Sequence, residues 1–202
     1  MYQQQIFDRA IALIDAANSK DLNHEISDGQ TWPKELLYSH RMSDMLQRYA
    51  PNADDANKLA IRAQHIERWK LSRNDYPANR QGYLKWRTDL YTFHAHTTAK
   101  LLKQAGYAEK FIDCVKQAVG KKSLKTNPNT QLLEDVTDLV FIEYYMLNFT
   151  AKHPEYDEEK WLRIIRKTWK KMSNNAQQFA LSGGITLPEL LIPLIQKAIS
   201  AN

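Results

Sequence analysis

Four segments of helical pattern each carry a side chain able to hold a metal ion or move a proton: His40, His65, His94 and Asp135. Neutral imidazole nitrogen and carboxylate oxygen together suit zinc, manganese, iron, cobalt or nickel. A divalent ion of this kind lowers the pKa of a bound water and polarises a phosphoryl oxygen. The setting of Asp135 is the most telling. At helical spacing its companions are Leu132, Leu139, Ile142 and Met146, so an acid stands on an otherwise apolar stripe. Burying an unpaired carboxylate costs several kcal/mol, on the scale of a domain's whole stability. Asp135 therefore requires a cation, a metal or strong hydrogen-bond donors. His94 shares a stripe with Leu90, Thr97 and Leu101, His40 follows Leu36 and Leu37, and His65 lies between Ile61 and Trp69. Each histidine taken alone reads more readily as a hydrogen-bonded core residue. Taken together, His40, His65 and Asp135 point to a shared metal site, with His94 as a further ligand or as the general acid–base group. Glu67 and Glu134 are the carboxylates placed to orient a water.

A second constellation surrounds His65. Between Arg62 and Arg87 the chain carries seven basic residues against two acids, an excess equal to the +5 of the whole chain. Such a local field suits a phosphate or another anion. Arg80, Tyr83 and Arg87 share one helix face at spacings of three and four. Arginine offers forked donors to phosphate, and Tyr or Trp stacks on a base. Arg41, Arg68, Arg73, Arg80, Tyr83, Trp86 and Arg87 are accordingly the candidate substrate-binding residues. The competing account is core aromatics flanked by solvated arginines. A later basic stripe, Lys160, Arg163, Arg166, Lys167, Lys170 and Lys171, follows Glu158 and Glu159. Acids first and bases last suit the helix dipole, which suffices to explain it.

The elements that must position these groups are helices. There are only six glycines, and alternating β-branched runs are absent. The pattern predicts helices over about 2–18, 33–49, 54–69, 80–104, 107–119, 130–151, 157–171 and 187–200, about eight in all. Residues 19–30 read as a loop with a weak turn at Asp28-Gly29. Thr31 is a candidate N-cap for the second helix, and Gly106 and Gly120 end the fourth and fifth. Pro193 would kink the last helix, whose amphipathic face could dock a partner. No repeat or linker divides the chain, so residues 1–202 read as one all-α domain. The single cysteine, Cys114, excludes an intrachain disulfide and reads as an inert, buried thiol. Without a basic, apolar leader or an 18-residue apolar run, the expectation is a cytoplasmic protein that does not enter the membrane.

Several stretches resemble an uncharacterised bacterial and fungal family, the domain-of-unknown-function family numbered 4202. They are Glu35 to Ser43, Ala63 to Trp69, Tyr76-Pro77 through Arg80, Gly82 to Arg87, His94-Ala95, and Leu133 through Glu143. They span about residues 33–145, onto which the C-terminal helices of 157–202 would pack. More distantly, the order His, then His at a helix end, then Asp on a later long helix is similar to the HD superfamily of metal-dependent phosphohydrolases. That resemblance implies an HD-like helical domain holding a divalent ion through His40, His65 and Asp135. Ile66 stands where the HD pattern has its Asp, so His94 or Glu67 would supply the missing ligand. The activity implied is hydrolysis of a phosphorylated or otherwise anionic small molecule such as a nucleotide. The alternative is a non-catalytic module that grips a nucleotide or RNA with the Arg/Trp/Tyr cluster. A second copy of the chain is a further partner consistent with the sequence.

Overall fold

The computed structural model describes residues 2–124 and 126–200. Helix α1 (Tyr2–Asn18) is followed by a two-stranded antiparallel hairpin, β1 (His24–Ser27) and β2 (Gln30–Pro33). The Asp28-Gly29 turn has positive φ at both residues, the type I′ geometry whose twist matches a two-residue hairpin loop. The strands are four residues long and mostly polar, which is why residues 19–30 read as loop.

Helix α2 (Lys34–Tyr49) starts directly from β2 with Pro33 at its N-cap position, and Thr31 lies in the strand instead of capping it. Helix α3 (Asp55–Arg62) is shorter than the pattern predicted. The chain leaves it at Ala63, turns through His65 and takes a left-handed conformation at Glu67. Helix α4 (Arg80–Ala105) is capped by Asn79 and closed by Gly106 in the left-handed region, and α5 (Glu109–Val119) runs beside it.

The predicted helix over 130–151 is three pieces: α6 (Pro128–Val140), a π-helical turn (Phe141–Tyr145) and α7 (Met146–Ala151). A π turn inserts an extra residue and re-phases the side chains that follow. Helix α8 (Glu158–Lys171) leads into α9 (Asn174–Leu181), an element the sequence reading missed, and α10 (Ile192–Ser200) follows a short 3-10 turn. Among the described residues the count of about eight helices is thus corrected to ten, with a small hairpin, and the all-α class holds.

One buried apolar cluster runs from Ala10 on α1 to Ala198 on α10 and includes Met42, Met45, Leu59, Ile61, Ile66, Leu102, Leu133, Leu139 and Leu162. It ties α2, α3, α5 and α6 together and leaves a cavity along one side. Cys114 is half-buried and lies 3.2 Å from Nδ2 of Asn129. Among the described residues no helix is long and apolar enough to cross a membrane.

Candidate functional site

A cavity of about 710 Å³ opens between the start of α2, the turn after α3, the first half of α4, α6 with its π-helical turn, and α8. Lys34, Glu35 and Tyr38 lie on successive turns of one α2 face and form one wall. His65 and Arg68 come from the turn, Tyr83 and Arg87 from α4, and Lys167 and Lys171 from α8. Phe141, Tyr145, Phe149 and Ile164 supply an apolar end. A narrower extension of about 160 Å³ runs past His65, Arg68 and Arg87 toward Trp86, Tyr91, Lys121 and Glu134.

Glu35 and His65 meet in this cavity, with Oε2 3.5 Å from Nδ1. Burial, opposed by Arg68 and Lys34, raises the Glu35 carboxyl to about 7. Burial and the nearby cations Arg68 and Lys121 hold His65 well below the usual histidine range. At neutral pH the imidazole is therefore uncharged, and the contact is a carboxyl against a neutral ring, not an ion pair. The His65 ring stacks on Tyr38 with centroids 4.2 Å apart, which fixes its plane. Behind it, buried His94 presents Nδ1 2.8 Å from the carbonyl oxygen of Ile66. A carbonyl only accepts, so Nδ1 carries the proton. Nε2 of His94 is buried and without a partner, and burial lowers its pKa to about 3.

The floor is a chain of charges. Lys121 donates to Glu134, and Lys171 donates to Glu134 at 2.7 Å and to Asp138 at 2.8 Å. Burial works against ionisation of Glu134, but the two ammonium groups override it and hold its pKa well down. Asp138 has only Lys171. Burial and the Glu134 charge outweigh that contact and push its pKa up, so it keeps its proton to higher pH. Its Oδ2 is buried without a partner. Lys121 reaches Glu134 from a left-handed backbone conformation, φ 53°, which costs a residue with a Cβ about 1 kcal/mol.

The arginines of the cavity differ from the others. Arg41, Arg48 and Arg62 are each paired with a carboxylate, Glu25, Glu143 and Asp15 respectively. Arg68 lies 4.9 Å over the Trp86 ring, and Arg87 lies over Tyr83 and Tyr91 while donating to the Tyr91 hydroxyl. Among the described residues neither has a carboxylate partner. Trp86 is itself held by donation from Nε1 to the Leu71 carbonyl, 3.0 Å.

Of the residues singled out from sequence, His65, Arg68, Tyr83 and Arg87 line the main cavity, and Trp86 and Glu134 line its extension. The expected metal set does not meet. His40 lies five residues past Glu35, about 140° around α2. It packs on Trp32, with Arg62, Asp15 and Asp44 the charges that act on it. Asp135 accepts from Ser173 N at 2.7 Å, Gln131 Nε2 at 2.8 Å, Tyr49 Oη at 3.2 Å and the Ser173 hydroxyl. The donors its setting required are hydrogen-bond donors, and they seat the N-terminus of α9. His94 holds the Ile66 carbonyl through Nδ1, and among the described residues no side chain is hydrogen-bonded to its buried Nε2. Ile66 itself is fully buried in the core. Among the described residues no three His, Cys, Asp or Glu side chains are disposed to hold a metal ion. The side chains present therefore do not fit the divalent ion that the HD resemblance implied.

Other expected ligand-binding residues have structural partners. Arg41 bonds Glu25 and the Tyr145 hydroxyl and stacks on Tyr144, fastening the hairpin to the π turn. Arg73 donates to the carbonyls of Tyr76 and Pro77, each at 2.9 Å. Arg80 is exposed at the first residue of α4, outside the cavity. Glu67 pairs with Lys70 at 2.7 Å, and its amide donates to Asn18.

Sequence reasoning missed Lys34, Glu35, Tyr38, Lys121, Thr137, Asp138, Tyr145 and Lys171. Glu35 had a usable signal: it heads the stripe Tyr38, Met42, Met45 and Tyr49, the same anomaly that drew attention to Asp135. Lys167 and Lys171 were explained by the helix dipole alone, yet both face this space. No curated protein and no solved structure matches the chain. The family described as Domain of unknown function (DUF4202) matches residues 8–195, well beyond the 33–145 stretch on which the sequence resemblance rested, and the chain belongs to that family.

Proposed function

We propose that the protein binds a phosphorylated or otherwise anionic small molecule of nucleotide size in the cavity between α2, α4, α6 and α8, and hydrolyses it. The observation that carries this reading is the pair Arg68 and Arg87, each stacked on an aromatic ring and lining one cavity, and neither ion-paired among the described residues. Free forked donors in a partly desolvated space favour a phosphate or carboxylate ligand. Lys34 and Lys167 add positive charge to the same walls. The volume lies within the range of about 300–1,000 Å³ usual for small-molecule sites, and the aromatic end suits a base or another flat apolar group.

Hydrolysis is supported by the groups beside the cations. Glu35 and Asp138 are buried carboxyls that keep their protons toward neutral pH, as a general acid must. His65 is held neutral by burial and the cations around it, so its ring can accept a hydrogen bond from a water and orient it. The HD likeness supports the reading through the order of its elements. The starting points it names, α2, the turn after α3, and α6, border the cavity, but the residues that face it are Glu35, His65 and Asp138, with Glu134 in its extension. The reading accordingly draws on acid–base chemistry and on no metal.

Binding without turnover is the second reading, favoured by Tyr83, which is 42% exposed beside Arg87. Thermal-shift and calorimetric titration with a panel of nucleotides and sugar phosphates tests both, with phosphate release followed in parallel. The expected result is saturable binding that Arg68→Ala weakens, with turnover lost in Glu35→Gln. Binding by the wild type with no product over long incubation would leave the non-catalytic module, and a panel without any binder would sink the site.

A further inference from the structure

The basic face of α8 does not stop at the cavity. Lys160, Arg163, Lys167 and Lys171 follow one another at spacings of three and four, which puts them on one side of the helix. Lys167 and Lys171 line the cavity, whereas Lys160 and Arg163 lie outside it and are exposed. The rise from Lys160 to Lys167 is roughly 10 Å. Among the described residues Lys160, Arg163 and Lys167 make no ion pair, and Glu158 at the start of the helix is paired with Lys197. The helix dipole accounts only for bases in the last turn, and it disfavours a cation at Lys160, the third residue of α8. A row of aromatic rings leaves the cavity beside these cations. Phe149 lines the cavity, His153 packs on Phe149 with centroids 4.7 Å apart, and Tyr156 stacks on His153 at 4.6 Å with the planes 12° apart. The two rows meet at their outer end, where Lys160 Nζ lies 5.2 Å from the Tyr156 centroid. His153 and Tyr156 are only half-buried.

Cations and flat rings running side by side from a cavity match an unpaired polynucleotide strand, which sets phosphates on the first and bases against the second. A duplex keeps its bases stacked inside and would use the cations alone. An acidic peptide has no regular succession of rings to set against the aromatic row. We propose that the cavity takes the end of a single-stranded nucleic acid. The terminal nucleotide occupies the cavity, with its end phosphate on Arg68 and Arg87 and its base toward Phe141 and Phe149. The strand behind it runs out along α8, its phosphates passing Lys167, Arg163 and Lys160 and its bases meeting His153 and Tyr156. The inference rests on the cavity being an anion site, and it adds that the anion is one end of a chain longer than the cavity.

The test is fluorescence anisotropy of the full chain with short oligothymidylates phosphorylated at the 5′ or the 3′ end and labelled at the other. Thymidine 5′-monophosphate, the same strand circularised, and phosphatidylserine vesicles serve as competitors. One linear strand should bind about tenfold or more tighter than the mononucleotide, the scale of one stacked base. In the double variant Lys160→Gln with Arg163→Gln, at two exposed positions, that advantage should shrink toward one. The slope of log affinity against log salt should flatten by about 1.4, or about 0.7 for each lost phosphate contact. Arg68→Ala should weaken the strand and the mononucleotide alike. Equal affinity for the two would overturn the inference while leaving the anion site in place. So would an advantage that survives the double change, or a circular strand that competes as well as the linear one. Vesicles that displace the strand more effectively than unlabelled strand does would assign the α8 face to a membrane and overturn it as well. Failure of every anion to bind would remove both readings.

Discussion

Glu35 Oε2 stands 3.5 Å from Nδ1 of His65, joining the first turn of α2 to the turn that follows α3. Glu35 is 6% exposed, so its carboxyl has lost nearly all of its water, and Arg68 and Lys34 compensate only in part. It binds its proton more tightly in the folded chain than in the unfolded one, where the value is near 4.5. Its stabilising contribution is thus complete below pH 4.5 and is lost as pH rises through about 7. Relative to Glu35→Gln, the wild type should lose about 2 kcal/mol of stability between pH 5 and pH 8, read from urea unfolding. Parallel pH profiles for the two proteins would show that Glu35 titrates like an exposed acid.

Arg68 is the cleanest probe of binding because, among the described residues, its guanidinium makes no ion pair and acts on Glu35 only from a distance. Arg68→Ala removes a stacking contact with Trp86 worth about 0.5–1 kcal/mol and breaks no ion pair, although Glu35 would then hold its proton more firmly. Its thermal midpoint should fall only slightly. Affinity for a phosphorylated ligand should drop about ten- to a hundredfold, the scale of a charge-assisted hydrogen bond. Undiminished affinity in a folded Arg68→Ala protein would assign this arginine to the Trp86 stack alone.

Asp135 separates the metal expectation from the observed packing. In Asp135→Ala the amide and hydroxyl of Ser173, the Gln131 amide and the Tyr49 hydroxyl all lose an acceptor. The substitution should cost about 2–4 kcal/mol by chemical denaturation, and the first turn of α9 should lose hydrogen-exchange protection. Chelation of the wild type by EDTA should leave its thermal midpoint unmoved. A chelator-induced fall, or stoichiometric metal in the purified protein, would mean that the donors rearrange around an ion.

Gly82 fixes the entry into α4 and, through it, Tyr83 and Arg87. Its amide takes the Asn79 side-chain cap at 2.8 Å, and a Cβ built there would lie 2.1 Å from the Pro77 carbonyl oxygen. Gly82→Ala must therefore displace backbone, not a flexible side chain. The expected cost is about 2 kcal/mol or more, with weaker anion binding alongside. A fully stable Gly82→Ala protein with native affinity would show that the 77–82 turn yields easily.

Helix periodicity was legible because it is local. The stripes of α1, α2, α4, α5 and α8 and the stops at Gly106 and Gly120 depend on residues a turn or two apart, and these elements appear where the pattern puts them. The breaks were less legible. The left-handed Glu67, the π turn over Phe141–Tyr145 and the start of α9 at Ser173 each depend on a distant partner: the Asn18 side chain, the Arg41 guanidinium and the Asp135 carboxylate.

The sequence by itself determined an all-helical chain, the strong positive bias around residues 62–87, and the fact that Asp135 and His94 needed polar partners if buried. Tertiary structure alone decided who those partners are. His40 is turned about 140° around α2 from Glu35, and Asp135 about 60° around α6 from Asp138. Glu35 and Asp138 therefore enter the cavity where His40 and Asp135 were expected. The charges that complete the site, Lys121 and Lys171, come from the turn after α5 and the end of α8, more than a dozen residues from the carboxylates they bind. Which charges meet across such separations follows from how the helices pack, and no local pattern encodes it.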